Sequence, residues 1–189
     1  YLIASFLSPI TNRRNDGYGG DLAGRMRFAL EVAKAMRSGL ANHKPLFFRV
    51  SSVDGVEGGW SMDDTVALAG ALKSVGVDVV DCSSGGLAGS STTQNSKRGP
   101  GYQAPYAKET RERAKLATMA VGLILTGPQA EALLQEGYAD LIAIGREALA
   151  NPHWGHDAAK ALGFDPEFAR WPEQSGWWLD KRAKAMART

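Results

Sequence analysis

The chain has 189 residues, 44% of them hydrophobic and 22% charged, with a formal net charge of +2. That is enough apolar material for one globular unit with a sizeable core, and a balance too even for the broad basic surface that nucleic acid or an anionic membrane would require. A single cysteine, Cys82, rules out an intramolecular disulfide framework or a cysteine-built iron–sulfur site, and no apolar run reaches the roughly 20 residues that span a bilayer.

In chain order, the first ten residues are apolar but lack a basic n-region and a small-residue cleavage site, so a cytoplasmic protein is expected. The chain opens on Tyr1 rather than methionine and reads as an excerpt of a longer polypeptide. Leu22, Met26, Ala29, Leu30 and Ala33 recur at helical spacing and predict a helix over 22–37, with Asp21 placed to cap it. Residues 46–51 read as a short apolar strand interrupted by Arg49. Ser61-Met62-Asp63-Asp64 resembles a capping box with Asp in place of Glu, opening a helix to about 75 that Gly76 ends. A strand over 77–82 contains Cys82, read as a small buried hydrophobe.

Residues 85–105, rich in Gly, Ser, Thr and Pro, predict a long loop in which Lys97 and Arg98 read as solvated charge. A helix over 106–116 follows, then a strand through Ala120-Val121-Gly122-Leu123-Ile124-Leu125, a helix over 128–136, a strand from Leu141 to Ile144, a helix after Arg146 and a tryptophan-rich tail with a terminal helix. Repeated strand–helix units with continuous apolar strands imply an α/β fold with a parallel sheet covered by helices. The whole chain reads as one unit.

Two segments point to chemistry. Leu141-Ile142-Ala143-Ile144-Gly145-Arg146 runs an apolar strand into a Gly-Arg pair and then a helix, a means of holding a phosphate, and the glycine at 122 ends a strand one unit upstream. Those are the usual phosphate positions after strands 7 and 8 of a (β/α)₈ barrel, a fold of roughly 250 residues, and only four strands are found here. Arg49 within an apolar strand needs an anionic partner, either a neighbouring carboxylate in a structural ion pair or a ligand at the barrel mouth. His153 and His156 have no third ligand beside them, so no metal site is expected.

Tyr1-Leu2-Ile3, Phe6-Leu7-Ser8-Pro9, Asn12-Arg13-Arg14, Asp16, Tyr18-Gly19-Gly20 and Arg25-Met26-Arg27-Phe28 strongly resemble a segment of the Old Yellow Enzyme family, flavin-dependent ene-reductases on a (β/α)₈ barrel. Phe48-Arg49-Val50-Ser51, Asp81-Cys82-Ser83-Ser84-Gly85-Gly86, Ala120-Val121-Gly122-Leu123-Ile124 and Ile144-Gly145-Arg146 fit it in the same order. Gly24 stands where the family usually has asparagine, a change that weakens its helix. The resemblance implies the C-terminal half of a TIM barrel, strands 5 to 8 with their helices.

It also implies roles. Tyr1 matches the tyrosine that protonates the substrate alkene, and Arg49 the arginine beside the pyrimidine edge of FMN. Gly122, Gly145 and Arg146 match the FMN phosphate cradle. The tail resembles that of the xenobiotic-reductase branch, with Ser175 where tyrosine is common; it makes Trp178 a substrate-pocket candidate, with core packing as the alternative. A tyrosine at a chain terminus is ordinarily frayed and idle, and only the motif after it raises Tyr1 above that.

The resemblance implies that the residues binding the substrate's carbonyl or nitro oxygen belong to an N-terminal half not found in this sequence. The expectation is therefore an FMN-dependent oxidoreductase that takes hydride from NADPH or NADH to an activated alkene, completed by its missing N-terminal half and homo-oligomeric, with no nucleic-acid or membrane partner. The alternative is a catalytically silent half-barrel that binds phosphate-bearing ligands or self-associates. A non-flavin phosphate-binding barrel enzyme such as an isomerase is disfavoured by residues 1–28.

Overall fold

The computed structural model describes residues 1–85 and 98–188. Gly86, Lys97 and most of the predicted 85–105 loop lie outside them. The elements in chain order are α1 (Leu2–Leu7), α2 (Leu22–Gly39), β1 (Phe47–Ser51), α3 (Met62–Ser74), β2 (Val79–Ser83), α4 (Ala104–Ala114), β3 (Ala117–Ala120), α5 (Gly127–Gln135), β4 (Leu141–Ile142), α6 (Arg146–Ala150), α7 (Trp154–Ala161) and α8 (Glu173–Met186). They fall into two compact units, Tyr1–Leu123 with Leu133–Ala143, and Ile124–Ala132 with Ile144–Thr189.

The first unit holds the sheet, whose strands pair in parallel in the order β1-β2-β3-β4. Its register sets Arg49 opposite Asp81, Asp81 opposite Met119, and Met119 opposite Leu141. Because side chains alternate across a strand, Phe47, Arg49 and Ser51 share one face with Val79, Asp81 and Ser83, while Phe48, Val50, Val80 and Cys82 share the other. The second set is buried, and α4 packs on β2 and β3. Alanines line the packed faces of these helices: α2 buries Ala29 and Ala33, and α4 buries Ala104 and Ala107. From α3, Leu68 and Leu72 are almost wholly buried, each worth about 2–5 kcal/mol against alanine.

The helix starts follow the predicted chemistry. Asp21 Oδ1 accepts from the Gly24 N–H at 2.7 Å, and Ser61 and Asp64 form the capping box reciprocally. Asp63 instead faces Arg113, 2.7 Å away. A Cβ on Gly24 would stand 2.2 Å from the Gly19 carbonyl oxygen, so glycine here permits a close approach of α2 to the preceding loop. That loop is braced by side chains of the family motif. Asn12 Nδ2 donates to the carbonyls of Phe6 and Tyr18 (2.6 and 2.7 Å), and Arg25 donates to those of Leu7 and Gly20 (3.0 and 2.7 Å). Asp54 Oδ2 ties the loop to the β1–α3 connection by accepting from Ser8 Oγ (2.6 Å) and the Trp60 N–H (2.7 Å).

Two expectations need correction. The strand through 120–125 ends at Ala120, because Gly122 (φ +114°) and Leu123 (φ +51°) leave the extended region. The helix after Arg146 is two short helices, α6 and α7, with Asn151 extended and followed by Pro152, which restricts it. In the second unit, α7 is fixed by Trp154 Nε1, which donates to the Leu125 carbonyl (2.8 Å), and His156 stacks on Trp171 at 4.3 Å.

Candidate functional site

Arg49 and Asp81 form the most unusual polar contact on the sheet. Arg49 Nη1 donates to Asp81 Oδ2 at 2.6 Å. The guanidinium side chain is 56% exposed, and the carboxylate only 12%. Arg49 therefore has its carboxylate partner, while more than half of its side chain stays exposed. Asp81 was absent from the sequence-based set of site residues, although it lies within the motif around Cys82.

Toward the C-terminal ends of β1 and β2 the backbone is laced by polar side chains. Ser51 Oγ donates to the Gly85 carbonyl (2.9 Å), and Ser83 Oγ to the Val50 carbonyl (3.2 Å). Gln103, buried just before α4, donates from Nε2 to Ser84 Oγ (2.8 Å). Its own side chain borders Gly122, where a Cβ would meet Gln103 Oε1 and the Tyr102 ring at 2.9 Å. The Gly101 N–H donates to the Gly122 carbonyl at 2.9 Å, closing the link between this segment and the end of β3. Sequence reading passed over Gln103. Its only signal was an amide beside a Pro-containing helix start.

Tyr1 stands at the N-cap of α1, 85% exposed, with its carbonyl accepting from the Ser5 N–H at 3.0 Å. Arg49, Asp81, Gln103 and Gly122 are thus placed by the sheet of the first unit, which also carries Tyr1. Gly145, Arg146 and Trp178 belong to the second. There Gly145 precedes α6, both it and Arg146 are exposed, and a Cβ on Gly145 would meet nothing within 4 Å. Trp178 is 62% exposed and edge-on to Trp177 at 4.5 Å, so the core-packing alternative for it fails.

Cys82 lies on the helix-covered face, and burial pushes its thiol up to about 11, against smaller opposing effects of Thr110 and Ser52. It is an unreactive neutral thiol, in accord with the small-hydrophobe reading.

A family profile described as "NADH:flavin oxidoreductase / NADH oxidase family" matches residues 1–163. An NADPH dehydrogenase of Halalkalibacterium halodurans is 44% identical over 163 residues, covering 86% of this chain and 46% of that protein. Among solved structures, a 2-naphthoyl-CoA reductase complex aligns with a TM-score of 0.72 at 27% identity, over 89% of this chain and 25% of its own. Morphinone reductase in complex with tetrahydroNAD aligns with a TM-score of 0.63 at 25% identity, over 86% and 40%. The chain spans less than half the length of each of these proteins.

Proposed function

The chain belongs to the NADH:flavin oxidoreductase / NADH oxidase family, that of the Old Yellow Enzymes, and from this premise we propose that it is the strand 5 to strand 8 half of an FMN-binding (β/α)₈ barrel. Joined to an upstream half, it reduces an activated alkene, an α,β-unsaturated carbonyl or nitro compound, at the expense of NADPH or NADH. The observation that carries this reading is the Arg49 guanidinium, half-exposed on the open face of the sheet with one N–H committed to Asp81.

The residues fit the cofactor. Arg49 and Arg146 are exposed cations for an electron-accepting ring and a phosphate, and the space beside the Gly145 backbone is open. When bound, FMN supplies hydride transfer between nicotinamide and alkene. Arg49 would hold the ring of the cofactor and supply positive charge to it. Arg146 would bind phosphate oxygens through its fork, and Gly145 would keep side-chain bulk away from them. The Tyr1 phenol delivers a proton to the carbon α to the activating group.

Titrating the protein with FMN and following quenching of flavin fluorescence tests the reading. Saturable binding that is lost in Arg146→Ala supports it, and equal affinity in that variant removes Arg146 from the cradle. In the assembled enzyme, Tyr1→Phe lowers the rate of enone reduction by about 10²–10⁴-fold with FMN affinity unchanged; full activity on every enone tried removes the proton-donor role.

A second reading draws support from the sheet itself. Among the described residues β1 and β4 are its edges, and Phe47 and Leu141 are 42% and 40% exposed. Such surface favours association with the other half or with another copy. Concentration-dependent dimerisation without FMN binding would favour a silent, self-associating half-barrel.

A further inference from the structure

Asp81 is an expensive residue in its position. It stands on β2, a strand flanked on both sides, and the side chain is 12% exposed. One oxygen takes the Arg49 N–H at 2.6 Å, while Oδ1 is buried with no partner among the described residues. A carboxylate withdrawn from water with half its acceptors idle costs stability, and buried ion pairs are commonly replaced by apolar side chains of similar volume without loss. Stability alone is therefore a poor account of the pair. The arrangement is also one-sided: the acid is enclosed and the base is open.

What a carboxylate does here that an apolar residue would not is hold a long, flexible cation in one rotamer. The register helps, because Arg49 and Asp81 are direct neighbours on the same face of adjacent strands, about 5 Å apart along the sheet. A guanidinium has five N–H donors in a fixed fork, and among the described residues only Nη1 is engaged. Anchoring by one nitrogen restricts the rotamers open to the side chain and leaves the remaining donors without a partner among the described residues. Groups that bind charge at a reacting centre lose affinity when the residues that orient them are removed.

We infer that Asp81 is a positioning residue for Arg49, fixing its guanidinium for the flavin ring and acting on the cofactor only through that side chain. This rests on the FMN reading above.

The test is a set of FMN dissociation constants for the barrel assembled with its upstream half, as the wild type, Arg49→Ala, Asp81→Ala, Asp81→Asn and the Arg49→Ala/Asp81→Ala pair, each with its melting temperature without FMN. Arg49→Ala and Asp81→Ala each weaken FMN by about tenfold, equivalent to about 1.4 kcal/mol. Asp81→Asn recovers most of the loss, since its amide oxygen still accepts from Nη1. The double variant is no weaker than Arg49→Ala alone, because both changes remove one interaction. Rescue by asparagine and this non-additivity are outcomes that a general loss of stability would not produce.

Unchanged affinity in Asp81→Ala overturns the inference, as does a double variant weakened about a hundredfold, the product of the two single effects. So does a loss in Asp81→Ala no greater than its unfolded fraction. If the wild type does not bind FMN, or Arg49→Ala binds it normally, the FMN reading falls first and the inference falls with it.

Discussion

Replacing Gly122 by alanine tests whether the end of β3 is built as described. Two costs apply. The backbone sits at φ +114°, where an L side chain is strained by about 1–3 kcal/mol. The new Cβ would also stand 2.9 Å from Gln103 Oε1 and from the Tyr102 ring, an overpacking worth about 1–3 kcal/mol more. The sum is about 2–6 kcal/mol, a large share of a typical domain's stability of about 5–15 kcal/mol. With a urea m-value of about 2 kcal/mol/M, the midpoint falls by at least about 1 M.

Two further glycines separate the terms. Gly20 has φ +75° with nothing within 4 Å of a Cβ, so alanine there bears only the conformational cost, about 1–2 kcal/mol. Gly70, inside α3, also has open space and no positive φ, so alanine should stabilise by about 0.5–1 kcal/mol. The expected order of urea midpoints is Gly70→Ala above wild type, then Gly20→Ala, then Gly122→Ala. A Gly122→Ala midpoint equal to or above that of Gly20→Ala would refute the close approach of Gln103 and Tyr102.

Cys82 gives a pH prediction. Its folded thiol is pushed up to about 11 by burial, above the ordinary thiol range near 9, so the native state keeps the proton longer than the unfolded chain. Stability from this group is full below pH 9 and is lost as pH rises from 9 to 11, by about 2–3 kcal/mol in all; urea melts at pH 8 and 10.5 should differ less in Cys82→Ala. The same burial makes alkylation of the native thiol at pH 8 at least about a hundredfold slower than in urea, and comparable rates would place the thiol at the surface. Asp54→Ala strands Ser8 Oγ and the buried Trp60 N–H, a loss of about 2–4 kcal/mol readable by thermal unfolding. Ser61→Ala removes one half of the capping box and costs about 1 kcal/mol by the same measure.

Local signals carried much of the architecture. The caps at Asp21 and Ser61 depend on residues three apart, so both were legible, as were the helices they open. Helix α1 was not. Its six residues are too few to hold a helix by propensity, and it is stabilised from outside, by Phe6 against Phe28 at 4.5 Å and by Arg25 on the Leu7 carbonyl. The strand drawn through 120–125 failed for a related reason. An apolar run fits an extended strand equally well whether or not its glycine takes a positive φ, and only the neighbouring Tyr102 and Gln103 show that it does.

The same limit explains why Arg49 was read as a choice between a structural ion pair and a ligand contact. A sequence shows an arginine among apolar neighbours but not the strand beside it, and Asp81 lies 32 positions away. Once register sets the two opposite each other, the ion pair is plain, and a ligand contact remains open to Arg49 because the carboxylate engages a single nitrogen and more than half of the side chain stays exposed. A fully satisfied pair would have placed both groups at similar depth and closed the fork, as bidentate arginine–carboxylate pairs do. The imbalance between an enclosed acid and an open base is thus what supports the proposed role of Arg49 at a ligand.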